Sequence, residues 1–506
     1  MRVEVMDTTL RDGEQTSGVS FTDIEKYNIA KLLLGEVKVD RIEIASARVS
    51  KGELESVKKI TKWARKNNLL DKIEVLGFID GKKSIDWIHQ AGARVVNLLC
   101  KGSLKHVEIQ LKKTLDEHIN DIKEIIKYAK DLSIDVNLYL EDWSNGMKNS
   151  PEYVFSLISA LKDENIKRFM LPDTLGILNP DQTEKFSRQM VEKFPDLTFD
   201  YHAHNDYGLA VANTIAAIKA GVSGIHTTVN GLGERAGNVA LANTIVAIND
   251  HLQIKTSVDE RFLYEISDIV ERFSGERIAA NTPIVGANVF TQVCGVHADG
   301  DNKGNLYYND LLPERFGRSR KYALGKTSGK ASIRKNLDLL GIELDKESLN
   351  KVTQKVIKLG DKKNNITIED LPYIISDVLE DNFISEIVKL DNYYICYANG
   401  LKPVATLSIK IDGKKYEASS NGDGQYDAFM NALLMIYKEI GQELPVLMDY
   451  IVTIPPGGHT NALVETVITW SYKGEEFKTK ALDPDQTTSA IGATVKMLNY
   501  TENYFK

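Results

Sequence analysis

The first half of the chain alternates short apolar runs with longer segments of helical periodicity. Eight runs have the composition and spacing of strands, at 3–10, 41–46, 72–79, 94–99, 135–142, 168–173, 198–204 and 224–230. Helical spacing occurs between them at 22–34, 51–67, 114–131, 151–161, 180–194 and 207–220. Thr22 with Glu25 three residues later has the pattern of a capping box at the first helix. Eight β-α units in about 250 residues predict a TIM barrel, with a doubly wound open sheet as the main alternative.

The second half of the chain has a different pattern. Residues 257–383 mix helical stretches with polar loops, which predicts a linker region of small subdomains. Residues 384–506 combine strand patterns at 404–411, 449–454 and 463–472 with helical patterns at 428–440 and 487–498. The predicted organisation is therefore an α/β protein, with a (β/α)8 TIM barrel at 1–256, linker subdomains at 257–383 and an α+β domain at 384–506.

Composition limits the classes of function. The chain has 506 residues and a net charge of −8, with acidic and basic residues interspersed, so no basic surface for nucleic acid is expected. The sequence has no leader-like N-terminus and no run near the about eighteen apolar residues of a membrane span, so a cytoplasmic protein is expected. Three widely spaced cysteines fit a reducing compartment.

Two histidines at the end of the seventh predicted strand are the first candidate chemistry. His202 and His204 are two residues apart, so both side chains point to the same side of a strand. Two imidazoles can supply two ligands of a divalent metal, and Asp12, after the first predicted strand, is the natural third. The alternatives are two partly exposed histidines on an edge strand, a turn role for Asp12 and a solvated charge at Arg11.

Polar and ionisable residues recur where the other predicted strands end, which is where TIM barrels carry their active sites. They are Arg11, Asp12, Gln15, Glu43, Ser46, Tyr139, Glu141, Asp142, Asp173, Thr174, His202, His204, Asn230, Glu234 and Asn238. An ordinary core would not collect so many charged groups. Oxygen-rich neighbours such as Asn238 favour Mg²⁺ or Mn²⁺, with Co²⁺ or Zn²⁺ as alternatives.

Three separated motifs carry a resemblance to a known family. They read T-T-L-R-D-G-E-Q at 8–15, H-A-H-N-D-Y-G-L-A at 202–210 and N-G-L-G-E-R-A-G-N at 230–238. Together they resemble the Claisen-condensing branch of the DRE-TIM metallolyase superfamily, which includes 2-isopropylmalate, homocitrate and citramalate synthases. The resemblance implies an acyltransferase that uses a divalent metal cation, condenses acetyl-CoA as co-substrate with a 2-oxo acid and releases free CoA.

The resemblance also implies roles for individual residues. The metal ligands fall on Asp12, His202 and His204, with Asn238 near the metal directly or through water. Arg11 matches the arginine that lies against the keto oxygen of the substrate.

Further site residues follow from the same resemblance. Thr174 matches the threonine that binds the carboxylate of the oxo acid, and Glu141 matches the carboxylate that faces the reacting carbons. The G-V-H-A-D-G stretch at 295–300 provides His297, and Tyr307 follows. In the resembled family these two residues reach the barrel of the partner subunit as acid-base groups.

The choice of oxo acid depends on the pocket for its side chain. Leu76, Leu99 and Tyr139 are expected to line this pocket, and a tyrosine with two leucines would leave room for little more than a methyl group. Pyruvate is therefore the expected substrate. The stretches at 41–55 and 141–146 also look most like bacterial (R)-citramalate synthases. The alternative is 2-isopropylmalate synthase or, with less support, homocitrate synthase.

The C-terminal region resembles a regulatory domain. G-D-G-Q-Y-D-A-F at 422–429 and P-P-G-G at 455–458 resemble the domain of isopropylmalate and citramalate synthases that binds an end-product amino acid between two subunits. The resemblance implies a homodimer inhibited by isoleucine, with Tyr426, Asp427 and Pro484 as candidate regulatory residues. A dimerisation module without a ligand is the alternative for this domain. For the whole chain, the alternatives are a metal-dependent lyase that uses no CoA and a catalytically silent amino-acid sensor.

Overall fold

The computed structural model describes residues 2–292, 306, 309–361, 366, 368–379, 386–453 and 464–505. The described residues up to 290, together with 309–319, form one compact unit, and the remaining described residues form a second. No helix in the described part of the chain is both long enough and apolar enough to cross a membrane.

The first unit is built on a closed barrel of eight parallel strands in sequential order. The strands are β1 (Glu4–Asp7), β2 (Arg41–Ser46), β3 (Ile73–Phe78), β4 (Val95–Lys101), β5 (Asp135–Glu141), β6 (Ile166–Asp173), β7 (Phe199–Ala203) and β8 (Gly224–Thr227). Strand β8 closes the barrel by pairing with β1, with Met6 opposite His226. The predicted TIM barrel is confirmed, and the open-sheet alternative is excluded.

Helices surround the barrel and follow its strands along the chain. They are α1 (Asp23–Leu32), α2 (Lys51–Lys66), α3 (Lys83–Gln90), α4 (Leu115–Asp131), α5 (Trp143–Asn149), α6 (Pro151–Leu161), α7 (Pro180–Lys193), α8 (Ala210–Lys219), α9 (Leu241–Ala247) and α10 (Leu263–Ser274). The predicted capping box is present at α1, where the Thr22 side chain accepts from the Glu25 amide and the Glu25 carboxylate accepts from the Thr22 amide. Helix α10 packs on the barrel, because Leu263, Ile266 and Val270 belong to its core.

The inward-facing residues of the barrel form layers, since every second side chain of a strand points inward. The lower layer is charged, and Arg41 in it binds both Glu74 and Asp200. Above it lies a small apolar cluster of Met6, Leu76, Tyr139 and Met170, with Phe78 and Leu99 packed against it. The open carboxyl ends of the strands lie above this cluster, where the candidate site residues are found.

The described part of the second unit contains a helical group, a two-stranded sheet of β9 and β10, and two three-stranded sheets. Its helices are α11 (Lys330–Leu339), α12 (Lys346–Asp361), α13 (Leu371–Leu379), α14 (Gln425–Glu439) and α15 (Gln486–Tyr504). Its strands are β9 (Thr291–Gln292), β10 (Lys321–Tyr322), β11 (Val388–Cys396), β12 (Val404–Ile411), β13 (Lys414–Asn421), β14 (Val446–Thr453), β15 (Val464–Tyr472) and β16 (Glu475–Asp483). Strands β11 to β13 and β14 to β16 form two antiparallel three-stranded sheets.

One apolar core joins these two sheets with helices α14 and α15. The alternation in β12 explains its packing, because Ala405, Leu407 and Ile409 are buried while the residues between them are not. Helices α11 to α13 have a core of their own. The C-terminal region is thus an α+β domain, as predicted.

Candidate active site

Asp12, His202 and His204 lie together at the carboxyl ends of β1 and β7. All three are buried, and one possible ligand atom of each falls within 4.8 Å of the others. The Asp12 Oδ2 atom is 3.1 Å from His202 Nε2 and 3.9 Å from His204 Nε2. The fold therefore brings the predicted aspartate next to a histidine pair that lies 190 residues further along the sequence.

The donor atoms of this group fit a divalent cation. Asp12 Oδ2 and Asn238 Oδ1 are buried and have no hydrogen-bond partner among the described residues. Buried polar atoms without partners are costly, and binding of a cation would satisfy these oxygens. Asn238 is close to the histidines, because it forms an isolated β-bridge with His204. A carboxylate, two imidazoles and an amide oxygen suit Mg²⁺, Mn²⁺, Co²⁺ or Zn²⁺.

The charges around Asp12 keep it ionised. Burial by itself would raise the pKa of Asp12, but Arg11 and the two histidines hold it well below the usual range. Burial and the neighbouring His202 lower the pKa of His204 to about 4. An ionised carboxylate and a neutral imidazole are the forms that bind a metal.

Arg11 is held beside this group by two acidic residues. Its Nε atom donates to Glu43 Oε2 at 2.6 Å, and its Nη1 atom is 3.3 Å from Asp12 Oδ1. The guanidinium lies 5.7 Å from the centre of the Tyr139 ring. This arrangement holds the positively charged guanidinium of Arg11 between the acidic residues and the apolar cluster.

The three residues predicted to line the side-chain pocket share that apolar cluster. Leu76 and Tyr139 are buried members, and Leu99 packs against them. The Tyr139 ring meets the His202 ring edge-on, with 5.8 Å between ring centres. The predicted pocket wall therefore adjoins the candidate metal ligands.

Thr174 and Glu141 lie at neighbouring strand ends. The backbone N–H of Asp142 donates to Thr174 Oγ1 at 2.9 Å. In this bond Thr174 Oγ1 is the acceptor, so the hydroxyl hydrogen of Thr174 is not used in it and can be donated to a ligand. The Glu141 carboxylate forms an ion pair with Lys101 across β4 and β5.

Three residues that the sequence analysis did not single out belong to this region. Lys101 pairs with Glu141, and the Arg235 guanidinium binds both Asp206 and the carbonyl oxygen of Thr174. His226 lies inside the barrel, where its ring is next to the rings of Tyr139 and His202. The alternation of inward and outward side chains along β8 could have predicted that His226 points into the barrel. No signal in the sequence indicated the ion-pair partners of Lys101 or Arg235.

Not all of the remaining predicted site residues belong to the part of the chain that the structure describes. His297, Tyr307 and the P-P-G-G stretch are outside the described residues. In the second unit, Tyr426 and Asp427 lie in the first turn of α14, and Pro484 precedes α15. These two helix starts are close, since Thr487 Oγ1 is 2.9 Å from Gln425 Oε1.

Comparisons with known proteins agree with this architecture. Residues 2–270 match the HMGL-like family, residues 284–364 the homocitrate synthase post-HMGL domain-like family, and residues 365–502 the LeuA allosteric (dimerisation) domain. The (R)-citramalate synthase of Methanocaldococcus jannaschii is 33% identical over 99% of this chain and 100% of its own. The 2-isopropylmalate synthase of the same organism is also 33% identical, over 98% of this chain and 94% of its own.

Proposed function

The chain belongs to the HMGL-like family, among the acyltransferases that include the citramalate and 2-isopropylmalate synthases, and from this premise we propose that it is an (R)-citramalate synthase. In this reaction acetyl-CoA condenses with pyruvate, and hydrolysis of the thioester then releases citramalate and free CoA. The resemblance to the Claisen-condensing branch, predicted from three motifs, is confirmed by the family matches.

The observation that carries the choice of pyruvate is the packing of Tyr139. Its side chain is 2% exposed and packs with Leu76 and Leu99 next to His202. We expect a ring and two leucines at this point to leave space for a methyl group and to oppose a branched side chain. One methylene in an apolar pocket changes selectivity by only about 1–3 kcal/mol, but a clash with a fixed ring excludes more.

The proposed metal site would be formed by Asp12, His202 and His204, with Asn238 as a fourth group. A divalent cation held there would polarise the keto group of a bound oxo acid. Arg11 is proposed to stabilise the negative charge that develops on the keto oxygen as the carbon–carbon bond forms.

The remaining residues are proposed to bind substrate and move protons. Thr174 would donate its free hydroxyl hydrogen to the carboxylate of pyruvate. Glu141 would accept a methyl proton of acetyl-CoA, and the resulting enolate would attack the keto carbon. His297 and Tyr307 are proposed, on the resemblance alone, as further acid-base groups contributed by a second subunit.

The second unit is proposed to regulate the reaction. The match to the LeuA allosteric (dimerisation) domain supports a ligand-binding and oligomer-forming role for residues 365–502. We propose that the protein is a cytoplasmic homodimer inhibited by isoleucine, with Tyr426, Asp427 and Pro484 near the ligand. The boundaries 1–256, 257–383 and 384–506 remain a proposal for its domains.

A thiol-release assay tests the proposed activity. Purified protein with Mn²⁺ and acetyl-CoA is given pyruvate or 2-oxoisovalerate, and kcat/KM is measured for each. We expect a value for pyruvate at least about a hundredfold higher, because the branched acid meets the Tyr139 ring. A preference for 2-oxoisovalerate would support the second candidate, 2-isopropylmalate synthase, because the chain is as similar to such an enzyme as it is to a citramalate synthase. Product formation without any free CoA would instead indicate a lyase.

A further inference from the structure

A chain of hydrogen bonds crosses the interior of the barrel below the proposed substrate pocket. Arg41 Nη2 lies 2.5 Å from Asp200 Oδ2, and the same carboxylate oxygen is 3.3 Å from His226 Nε2. The other ring nitrogen, His226 Nδ1, is 2.8 Å from the hydroxyl oxygen of Tyr139. Tyr139, His226 and Asp200 are all at most 2% exposed. These hydrogen-bonded side chains are therefore not in contact with bulk water.

The partners of Asp200 determine the direction of these hydrogen bonds. Arg41 and Arg168 both bind its carboxylate and keep it ionised, so it can only accept hydrogen bonds. His226 Nε2 must then carry the ring hydrogen that points at Asp200. In a neutral imidazole the second nitrogen is an acceptor, so the Tyr139 hydroxyl donates to His226 Nδ1.

The same hydroxyl has a second neighbour. Arg11 Nη2 lies 3.4 Å from the Tyr139 oxygen, which can accept from it because the tyrosine hydrogen is directed to His226. The hydroxyl thus donates on one side and accepts on the other. A hydroxyl bound on both sides fixes the plane of its ring more strongly than packing alone.

We propose that His226 is a positioning residue that determines substrate selectivity by holding the hydroxyl of Tyr139. The inference rests on the proposed function and deepens it. The hydrogen bond keeps the ring in place as the wall of the pocket and keeps its oxygen directed to Arg11. Without the hydrogen bond the ring can turn, and the pocket can accept a longer oxo acid.

Four variants test this role. Tyr139→Phe keeps the ring and removes the hydroxyl, and His226→Leu removes the acceptor. The double variant tests whether the two changes act through one interaction. His226→Asn is the conservative variant, because its amide oxygen can take the place of Nδ1 as an acceptor. Tyr201→Phe is the matched control, since Tyr201 is equally buried on β7 but its hydroxyl lies 3.5 Å from Thr183 Oγ1.

The measurement is the ratio of kcat/KM for pyruvate to that for 2-oxobutyrate, with KM and kcat determined separately. We expect Tyr139→Phe and His226→Leu each to lower the ratio about tenfold, mainly through a higher KM for pyruvate. The double variant should lower it no further than either single variant. His226→Asn should recover most of the wild-type ratio, and Tyr201→Phe should keep it.

Two results would overturn the inference. One is a wild-type ratio in Tyr139→Phe, and the other is a double variant whose effect is the product of the two single effects. If His226→Leu does not fold, Tyr139→Phe and His226→Asn still decide the question. Loss of bound Mn²⁺ from Tyr139→Phe would also contradict a role confined to the pocket. A wild type that releases no thiol with any oxo acid would contradict the proposed function itself.

Discussion

At the scale of single residues, the partners of each ionisable group in the barrel interior determine whether that group is charged. Arg41 binds Glu74 at 2.7 Å and Asp200 at 2.5 Å, and all three residues are buried. Removing one member of such a group leaves a buried charge without compensation, which costs about 3–5 kcal/mol. Asp7 differs, because its neighbours are the neutral residues Thr9 and Thr227.

Asp7 gives the barrel a pH-dependent stability. Burial raises its pKa to about 7, although hydrogen bonds from Thr9 and Thr227 oppose the increase. The folded state therefore holds a proton that the unfolded chain, with a pKa of about 3.9, has lost, so stability falls as pH rises between about 4 and 7. Relative to Asp7→Asn, the wild type should lose about 3 kcal/mol of unfolding free energy between pH 5 and pH 8.

Urea unfolding of both proteins at several pH values measures this difference. Asp7→Asn keeps an acceptor for the Thr9 amide and removes the titrating group. A difference between the two proteins that stays constant with pH would show that Asp7 does not titrate in this window.

At the scale of elements, the sequence predicted those strands and helices whose buried faces repeat regularly. All eight barrel strands were predicted, because each is a short, mostly apolar run that lies between longer segments of helical spacing. Helices α3, α5 and α9 were not predicted, since each has only seven or eight residues and too few turns for a clear repeat. Helix α10 has twelve residues, and the sequence analysis gave no bounds for it within the predicted linker region. Strand β11 was missed because most of its side chains are exposed in the structure, including Tyr394.

The candidate site also contains residues that the sequence predicts and residues that it does not. Asp12, His202 and His204 could be predicted, because the ends of barrel strands converge and their residue types bind metals. The partner of Lys101 depends on the register between β4 and β5, and the partners of Arg235 depend on loop conformation; the sequence pattern gives neither. Arg235 itself has a positive φ of 58°, a backbone conformation that its sequence position did not reveal.

Asn499 attaches β11 to helix α15. Its Oδ1 atom accepts from the Val388 amide at 3.0 Å, and its Nδ2 atom donates to the Val388 carbonyl oxygen at 2.8 Å. Both bonds are buried, so Asn499→Leu should leave two backbone groups without partners and cost about 2–4 kcal/mol. Thermal unfolding should show a lower Tm for the second unit. Asn392→Leu, at an exposed position of the same strand, is the control, and equal Tm values for the two variants would contradict this role.

At the scale of the whole molecule, the chain combines a barrel that carries the candidate metal ligands with a unit that matches an allosteric domain. The proposed regulation requires a ligand site in the second unit. Tyr426 is the best-defined candidate, because its hydroxyl is 2.7 Å from Thr494 Oγ1 and its ring lies 5.5 Å from the ring of Tyr450.

Isoleucine binding should depend on Tyr426. Tyr426→Ala removes a large apolar surface and a hydrogen bond from the start of α14, so we expect the Kd for isoleucine to rise at least about tenfold. Isothermal titration calorimetry measures it, with leucine as the control ligand. Tight binding of leucine and none of isoleucine would contradict the assignment and indicate the 2-isopropylmalate reaction instead.

The most direct test is a titration of metal-free protein with Mn²⁺ by calorimetry, because the proposed reaction depends on one cation held by Asp12, His202 and His204. We expect one site per chain in the wild type, and an affinity at least about a hundredfold lower in Asp12→Ala. Asp196→Ala, which removes an exposed carboxylate, is the control and should bind as the wild type does. Unchanged Mn²⁺ affinity and citramalate formation in Asp12→Ala would contradict the account.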